Sequence, residues 1–197
     1  MEKQVDFTKE KEFTDQILQN LDLRLQVIEG CSFDACTFKQ GNFNGAALKN
    51  CRFVDCTFEH CDMSNVQLTS STLRSVKFQN SKLVGINWTA ASEVMHLGWY
   101  ECILNYGNFS GLDLRKCVVF QCSAIEADFI QTNFSEANLC GTDFALARFA
   151  STILIKADFR QAKNYSIRPD SNKIKNAKFS LPEATLLLYG LDIVLEN

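Results

Sequence analysis

From Phe33 onward, every fifth residue of this chain is apolar: Phe33, Phe38, Phe43, Leu48, Phe53, Phe58, Met63, Leu68, Leu73, Phe78, Leu83 and Trp88. The phase then slips by one residue and resumes at Trp99, running Leu104, Phe109, Leu114, Val119, Ala124, Phe129, Phe134, Leu139, Phe144, Phe149, Leu154, Phe159. All thirteen of that second run are apolar, where a 46% apolar background would give about six. A second column two residues earlier is mostly small: Cys31, Cys36, Gly41, Ala46, Cys51, Cys56 and Cys61, later Cys117, Cys122, Ala127, Thr132 and Ala137. Neither the 3.6-residue turn of a helix nor the two-residue alternation of a strand yields a period of five. A repeat this long specifies a solenoid, each unit burying its large side chain against neighbouring turns.

The charges indicate how many units close one turn. Residues one turn apart lie about 4.8 Å from each other, where like charges repel. At a separation of 20 every charged pair within the two arrays is opposite in sign: Glu29/Lys49, Lys39/Glu59, Asp62/Lys82, Lys116/Glu136, Glu136/Lys156, Asp128/Arg148 and Asp143/Lys163. At 25 the five pairs are all like-signed, and at 15 they are mixed. Only 20 avoids repulsion, which predicts four units per turn.

Composition excludes several classes. A net charge of −3 does not suit a basic nucleic-acid binder. No run of about 18 apolar residues is present, so no membrane span is expected. The charged N-terminus, without a signal-like apolar stretch, and nine cysteines point to a reducing cytoplasm with free thiols. Those cysteines recur at spacings of five, on successive faces, and lack the close spacing of zinc ligands. They read as small corner residues, with no metal or cofactor expected. With His60 and His96 as the only histidines and the acids matched to bases one turn away, no catalytic constellation is expected and the chain reads as non-enzymatic.

The units Ala127-Asp128-Phe129, Ala137-Asn138-Leu139, Thr142-Asp143-Phe144 and Ala157-Asp158-Phe159 resemble the signature of the pentapeptide-repeat protein family. The resemblance covers about residues 21 to 163 and implies a right-handed, four-sided parallel β-helix of about seven coils. The tail 179–197, together with 85–91 and 101–105, is similar to the family's albicidin-resistance proteins and, more distantly, to its quinolone-resistance proteins. That branch implies a DNA-mimicking rod that binds DNA gyrase, with topoisomerase IV as a further target, and protects it from albicidin or a fluoroquinolone. It also implies a homodimer through the C-terminus and no direct binding of nucleic acid. Seven coils at ~4.8 Å give about 34 Å per chain, and a tail-to-tail dimer would match roughly 20 base pairs of duplex. A structural scaffold for another protein, without a role in drug resistance, is the alternative reading.

The expected organisation has five parts. Residues 1–20 form an N-terminal cap, partly helical around Phe13, Ile17 and Leu18, followed by a first array over 21–88. A bulge or protruding loop occupies 89–98, with Ser92, Glu93, Val94, Met95 and His96 as candidate partner contacts. Removing 92–97 should then abolish protection while leaving the fold and the dimer intact. The second array and its irregular end run over 99–179. Residues 180–197 form a cap: Ser180 and Glu183 as a capping box, a helix over 184–189 ending at Gly190, then a strand. Leu187, Leu188, Tyr189, Leu191, Ile193 and Leu195 either plug the coil or also pair with a second copy. Glu101, Asp113 and Glu126 lack a base 20 residues away and mark the expected acidic surface, since 99–147 holds six acids and two bases. By contrast, 148–178 holds eight bases and two acids.

Overall fold

The computed structural model describes residues 6–191 and residue 193, with side chains up to residue 188 and at 193. The chain winds as a parallel β-solenoid with four faces. The first face stacks Glu12–Thr14, Ser32–Asp34, Arg52–Val54, Thr72–Arg74 and Glu93–Met95 as five turns. The second stacks six strands from Ile17–Gln19 to Val118–Phe120. Single-residue bridges make the third face, from Asp22↔Asn42 through Asp143↔Lys163. The fourth pairs Val27–Glu29 with Ala47–Lys49 and continues through Asn87↔Asn108↔Asp128↔Arg148.

The register is 20 residues, as with Phe33↔Phe53 and Phe38↔Phe58, and every ladder is parallel. The large column fills the interior, where Phe58, Phe78, Trp99, Phe134, Phe144 and Phe159 are fully buried. Burying each such side chain contributes about 1.5–3 kcal/mol, offset by chain entropy. The small column does more than let the corners close. Cys56 Sγ lies 3.4 Å from the carbonyl of Phe33, Ser71 Oγ 2.9 Å from that of Leu48, and Thr132 Oγ1 2.8 Å from that of Phe109. Each is a donor to a carbonyl 23 residues back, so Cys, Ser and Thr are alternatives at one structural position.

Except at Trp88, where the chain forms a 3₁₀ turn, the residue two after each large one lies in the left-handed region. Asn20, Asn50, His60, Ser75, Gln121 and Ser151 have φ between 48° and 54°, and Gly45 has φ of 67°. This backbone reversal turns the chain through each corner, which favours Gly, Asn and Asp there.

Two ends and one break differ from expectation. Residues 12–14 and 17–19 are strands paired with 32–34 and 37–39, so the region expected as a helical cap is already the first coil. Phe13 and Leu18 occupy the large column and are buried. No helical cap forms here because Phe13 and Leu18, five residues apart, continue the period of the large column and bury their side chains in the coil.

At the other end, Phe179 stacks on Phe159 with centroids 5.2 Å apart, and the bridges Ile153↔Lys173 and Asp158↔Lys178 extend the coil past residue 163. The segment Glu183–Leu191 is a 3₁₀ helix, not the expected α-helix. The Thr185 N–H donates to the Pro182 carbonyl three residues back. No capping box forms, because Ser180 Oγ accepts the N–H of Gln161 at 2.8 Å and so ties the tail to the preceding coil. Leu191 closes the 3₁₀ helix instead of opening a strand, Ile193 is 50% exposed outside any ladder, and Leu195 lies outside the described residues.

The break is a bulge of one residue, without a protruding loop. Leu73 pairs with Val94 and Asn87 with Asn108, both at 21 residues. The additional residue is taken up by a 3₁₀ turn over Trp88–Ala90, in which the Asn87 side chain accepts from the Thr89 hydroxyl at 2.8 Å. Glu93–Met95 then returns to the first face, and Leu97 and Trp99 to the core.

Candidate interaction site

One turn after the additional residue the pairing of the first face is interrupted. On the first face the ladder ends at Glu93–Met95 and resumes at Asp113↔Asn133; among the described residues no bridge joins 93–95 to 113–115. A cleft of about 280 Å³ opens at this seam, lined by Val94, Met95, His96, Asp113, Arg115 and Lys116. Val94 packs partly against the core, Met95 is 40% exposed, and His96 sits exposed at a left-handed corner with φ of 53°. Ser92 is fixed by its N–H to the Ser71 carbonyl at 2.8 Å, and Glu93 is held by Arg74 at 2.8 Å. Three of the five candidate contact residues thus line the cleft, and the other two anchor the strand that presents them.

The expected acidic surface is not one surface. Asp113 lies on the first face at the cleft, Glu101 at the corner after the second face, and Glu126 at the corner after the third. Asp113 is also not uncompensated. Arg115 grips it through two bonds, Nε to Oδ1 at 2.8 Å and a terminal guanidinium nitrogen to Oδ2 at 2.7 Å. That pairing holds the Asp113 carboxyl below its ordinary value. The same arrangement binds Asp22 to Arg24 and Asp158 to Arg160, each pair at 2.7 Å. The two residues flanking a buried large residue both point outward, so an Asp-x-Arg triplet is a short-range ion pair. Comparison of charges one turn apart does not register it, although the triplets are plain in the sequence.

Of the seven pairs one turn apart, four form ion pairs: Lys39–Glu59 at 3.1 Å, Lys116–Glu136 at 3.9 Å, Lys156–Glu136 at 3.7 Å, and Arg148–Asp128. Glu29 and Lys49, Asp62 and Lys82, and Asp143 and Lys163 are ladder neighbours. Eight of the nine cysteines are buried and Cys140 is partly buried, all with free thiols. No cluster of three or more His, Cys, Asp or Glu able to hold a metal is found among the described residues. Nor is any described helix long and apolar enough to cross a membrane.

At the C-terminal end, Leu186 and Leu187 pack partly against the core, which makes them a plug for the last coil. Leu188 is half-buried, whereas the side chains of Tyr189 and Leu191 lie outside the described residues.

The repeat, the four parallel ladders and the corner geometry define a pentapeptide-repeat solenoid. A family model described as pentapeptide repeat region matches residues 27–95 and 55–129, and one described as pentapeptide repeats (8 copies) matches 125–163; the chain belongs to this family. Among solved structures it is similar to a trypsin-treated variant of QnrB1, a plasmid-mediated fluoroquinolone resistance protein. That match has 22% identity and a TM-score of 0.62, covering 95% of this chain and 92% of the other. It is also similar to full-length QnrB1, with 20% identity and a TM-score of 0.64, over 90% of this chain and all of the other. No curated protein matches.

Proposed function

We propose that this protein is a non-enzymatic partner of a type II topoisomerase, DNA gyrase first and topoisomerase IV second, and that it protects the enzyme from an inhibitor such as albicidin or a fluoroquinolone. The observation that carries this reading is the end-to-end likeness to QnrB1, a fluoroquinolone resistance protein, over nearly the whole of both chains. The rod would occupy the enzyme's DNA-binding surface as a mimic of duplex shape. With Glu101, Asp113 and Glu126 on separate parts of the coil, the mimicry would rest on shape and length more than on one acidic face. Val94, Met95 and His96, at the mouth of the seam cleft, would contact the enzyme and disfavour the drug-trapped state. A second copy joined through the tail, with Leu188 among the contacts, would double the rod.

Deleting 92–97 does not test this, because that segment carries a paired strand and the buried Leu97. Point changes at the cleft do. Surface plasmon resonance of immobilised gyrase should show saturable binding of the wild-type protein, competed by duplex DNA. Met95→Glu should weaken it at least about tenfold while leaving thermal unfolding unchanged. Binding that persists unaltered in Met95→Glu would remove the cleft from the interface, and no binding at all would remove the topoisomerase.

A further inference from the structure

The seam cleft does not stand alone on the first face. Below it the coil continues through Asn133, Ile153 and Lys173 in one ladder column. Ser135, Ile155 and Lys175 lie beside that column, as shown by the Glu136 N–H donating to the Ile155 carbonyl and the Lys156 N–H to the Lys175 carbonyl. The adjoining corner carries Lys116, Glu136 and Lys156, with Glu136 held between the two lysines at 3.9 and 3.7 Å. Along this strip five cations, Arg115, Lys116, Lys156, Lys173 and Lys175, stand against two carboxylates, Asp113 and Glu136. Both carboxylates are already neutralised by cations of the strip. Lys173 and Lys175 are exposed and make no ion pair among the described residues. In a chain whose net charge is −3, this face therefore carries a local excess of positive charge, with an apolar-floored cleft at its upper end.

We propose that this strip docks an acidic polypeptide segment of a protein partner. The segment would seat one apolar side chain in the cleft on Val94 and Met95, and its carboxylates would run down to Lys173 and Lys175. Three turns separate the Asp113 position from the Lys173 position, about 14 Å at the spacing of stacked strands, which four or five extended residues span. The strip's charge is complementary to acids, and Lys ammonium groups on flexible stems tolerate their exact placement. Nucleic acid fits less well. The strip presents no exposed aromatic ring among the described residues on which a base could stack, and two carboxylates sit within it. The proposal stands whether or not the partner is a topoisomerase.

The test uses the whole protein and a fluorescein-labelled peptide of about twelve residues, all Asp and Glu around one central Leu, followed by anisotropy. Saturable binding is expected, weakened at least about tenfold by the double change Lys173→Glu with Lys175→Glu at about 0.05 M salt, and much less at about 0.5 M. Lys77→Glu, on the second face, should leave binding within about twofold, and replacing the peptide's Leu by Ser should weaken it severalfold. The milder Lys175→Gln serves should the double variant melt early in circular dichroism, and it should weaken binding in the same direction. No saturation at about millimolar peptide, equal loss with Lys77→Glu, or tighter binding of an oligothymidine of the same length would each overturn the proposal.

Discussion

Phe38 and Phe58, one coil apart on the second face, stack with ring centroids 4.4 Å apart and planes inclined by 6°. Phe58 stacks again on Phe78 at 5.2 Å, and the column carries on to Trp99 at 6.3 Å. A ladder that fixes backbones one strand spacing apart places identical side chains face to face. The interior is therefore a set of stacked rings with edge contacts between adjacent faces, such as Phe33 against Phe38 at 5.2 Å.

Phe58 is fully buried between two stacked rings, and Phe58→Ala would leave a cavity that the backbone ladders cannot close. The expected loss is about 3–5 kcal/mol, read as a lower urea midpoint in equilibrium unfolding. A loss below about 1 kcal/mol would contradict a rigidly stacked core.

Leu146 turns its corner with φ of 58° and exposes 73% of its surface, so its backbone conformation is unfavourable and its side chain makes little compensating contact. Leu146→Asn should stabilise the fold by about 0.5–1 kcal/mol, because Asn tolerates the left-handed region. Urea unfolding of the two proteins side by side gives the difference, and a destabilised variant would show that Leu146 is held by contacts at that corner.

Burial holds the thiols of Cys51 and Cys61 up at about 11 and that of Cys56 at about 12, against a usual 9.0. In the unfolded chain these thiols ionise near their usual value, so between about pH 9 and 11 the folded state binds more protons. Stability is then full below about pH 9 and falls as pH rises, by up to about 1.4 kcal/mol per pH unit for each thiol. Urea unfolding at pH 8 and pH 10 checks the sign, and a Cys56→Ser variant should fall less steeply.

A tail that plugs the last coil with Leu186 and Leu187 leaves Leu188 half-buried. If the tail also pairs with a second copy, sedimentation equilibrium should give twice the 22.3 kDa chain mass, and Leu188→Glu should return it to one. A wild-type monomer at about 10 µM would leave the tail as a plug alone.

The repeat, its register and the four-sided coil were legible because each rests on side chains in fixed columns, and column identity needs no tertiary knowledge. The 20-residue register followed from charge signs, since Lys39 and Glu59 or Lys116 and Glu136 can be neighbours only at that spacing. The cleft was legible only in half. Val94, Met95 and His96 stood out at the phase slip, but Arg115 and Lys116 did not, because the loss of pairing falls one turn after the insertion. Asp113 has no base one turn away, and its partner Arg115 lies two residues along, across a buried leucine, where the charges of stacked turns do not show it. At the tail, Ser180 and Glu183 have the spacing of a capping box, yet the Gln161 N–H one coil earlier claims the serine hydroxyl.

The most direct test of the account is gyrase supercoiling with the purified protein, titrated separately against a fluoroquinolone and albicidin. Topoisomerase protection predicts that supercoiling lost to one of the drugs returns as the protein is added, and that Met95→Glu restores less of it at equal concentration. Supercoiling that stays inhibited by both drugs at every protein concentration would contradict it, leaving a solenoid that serves another protein partner.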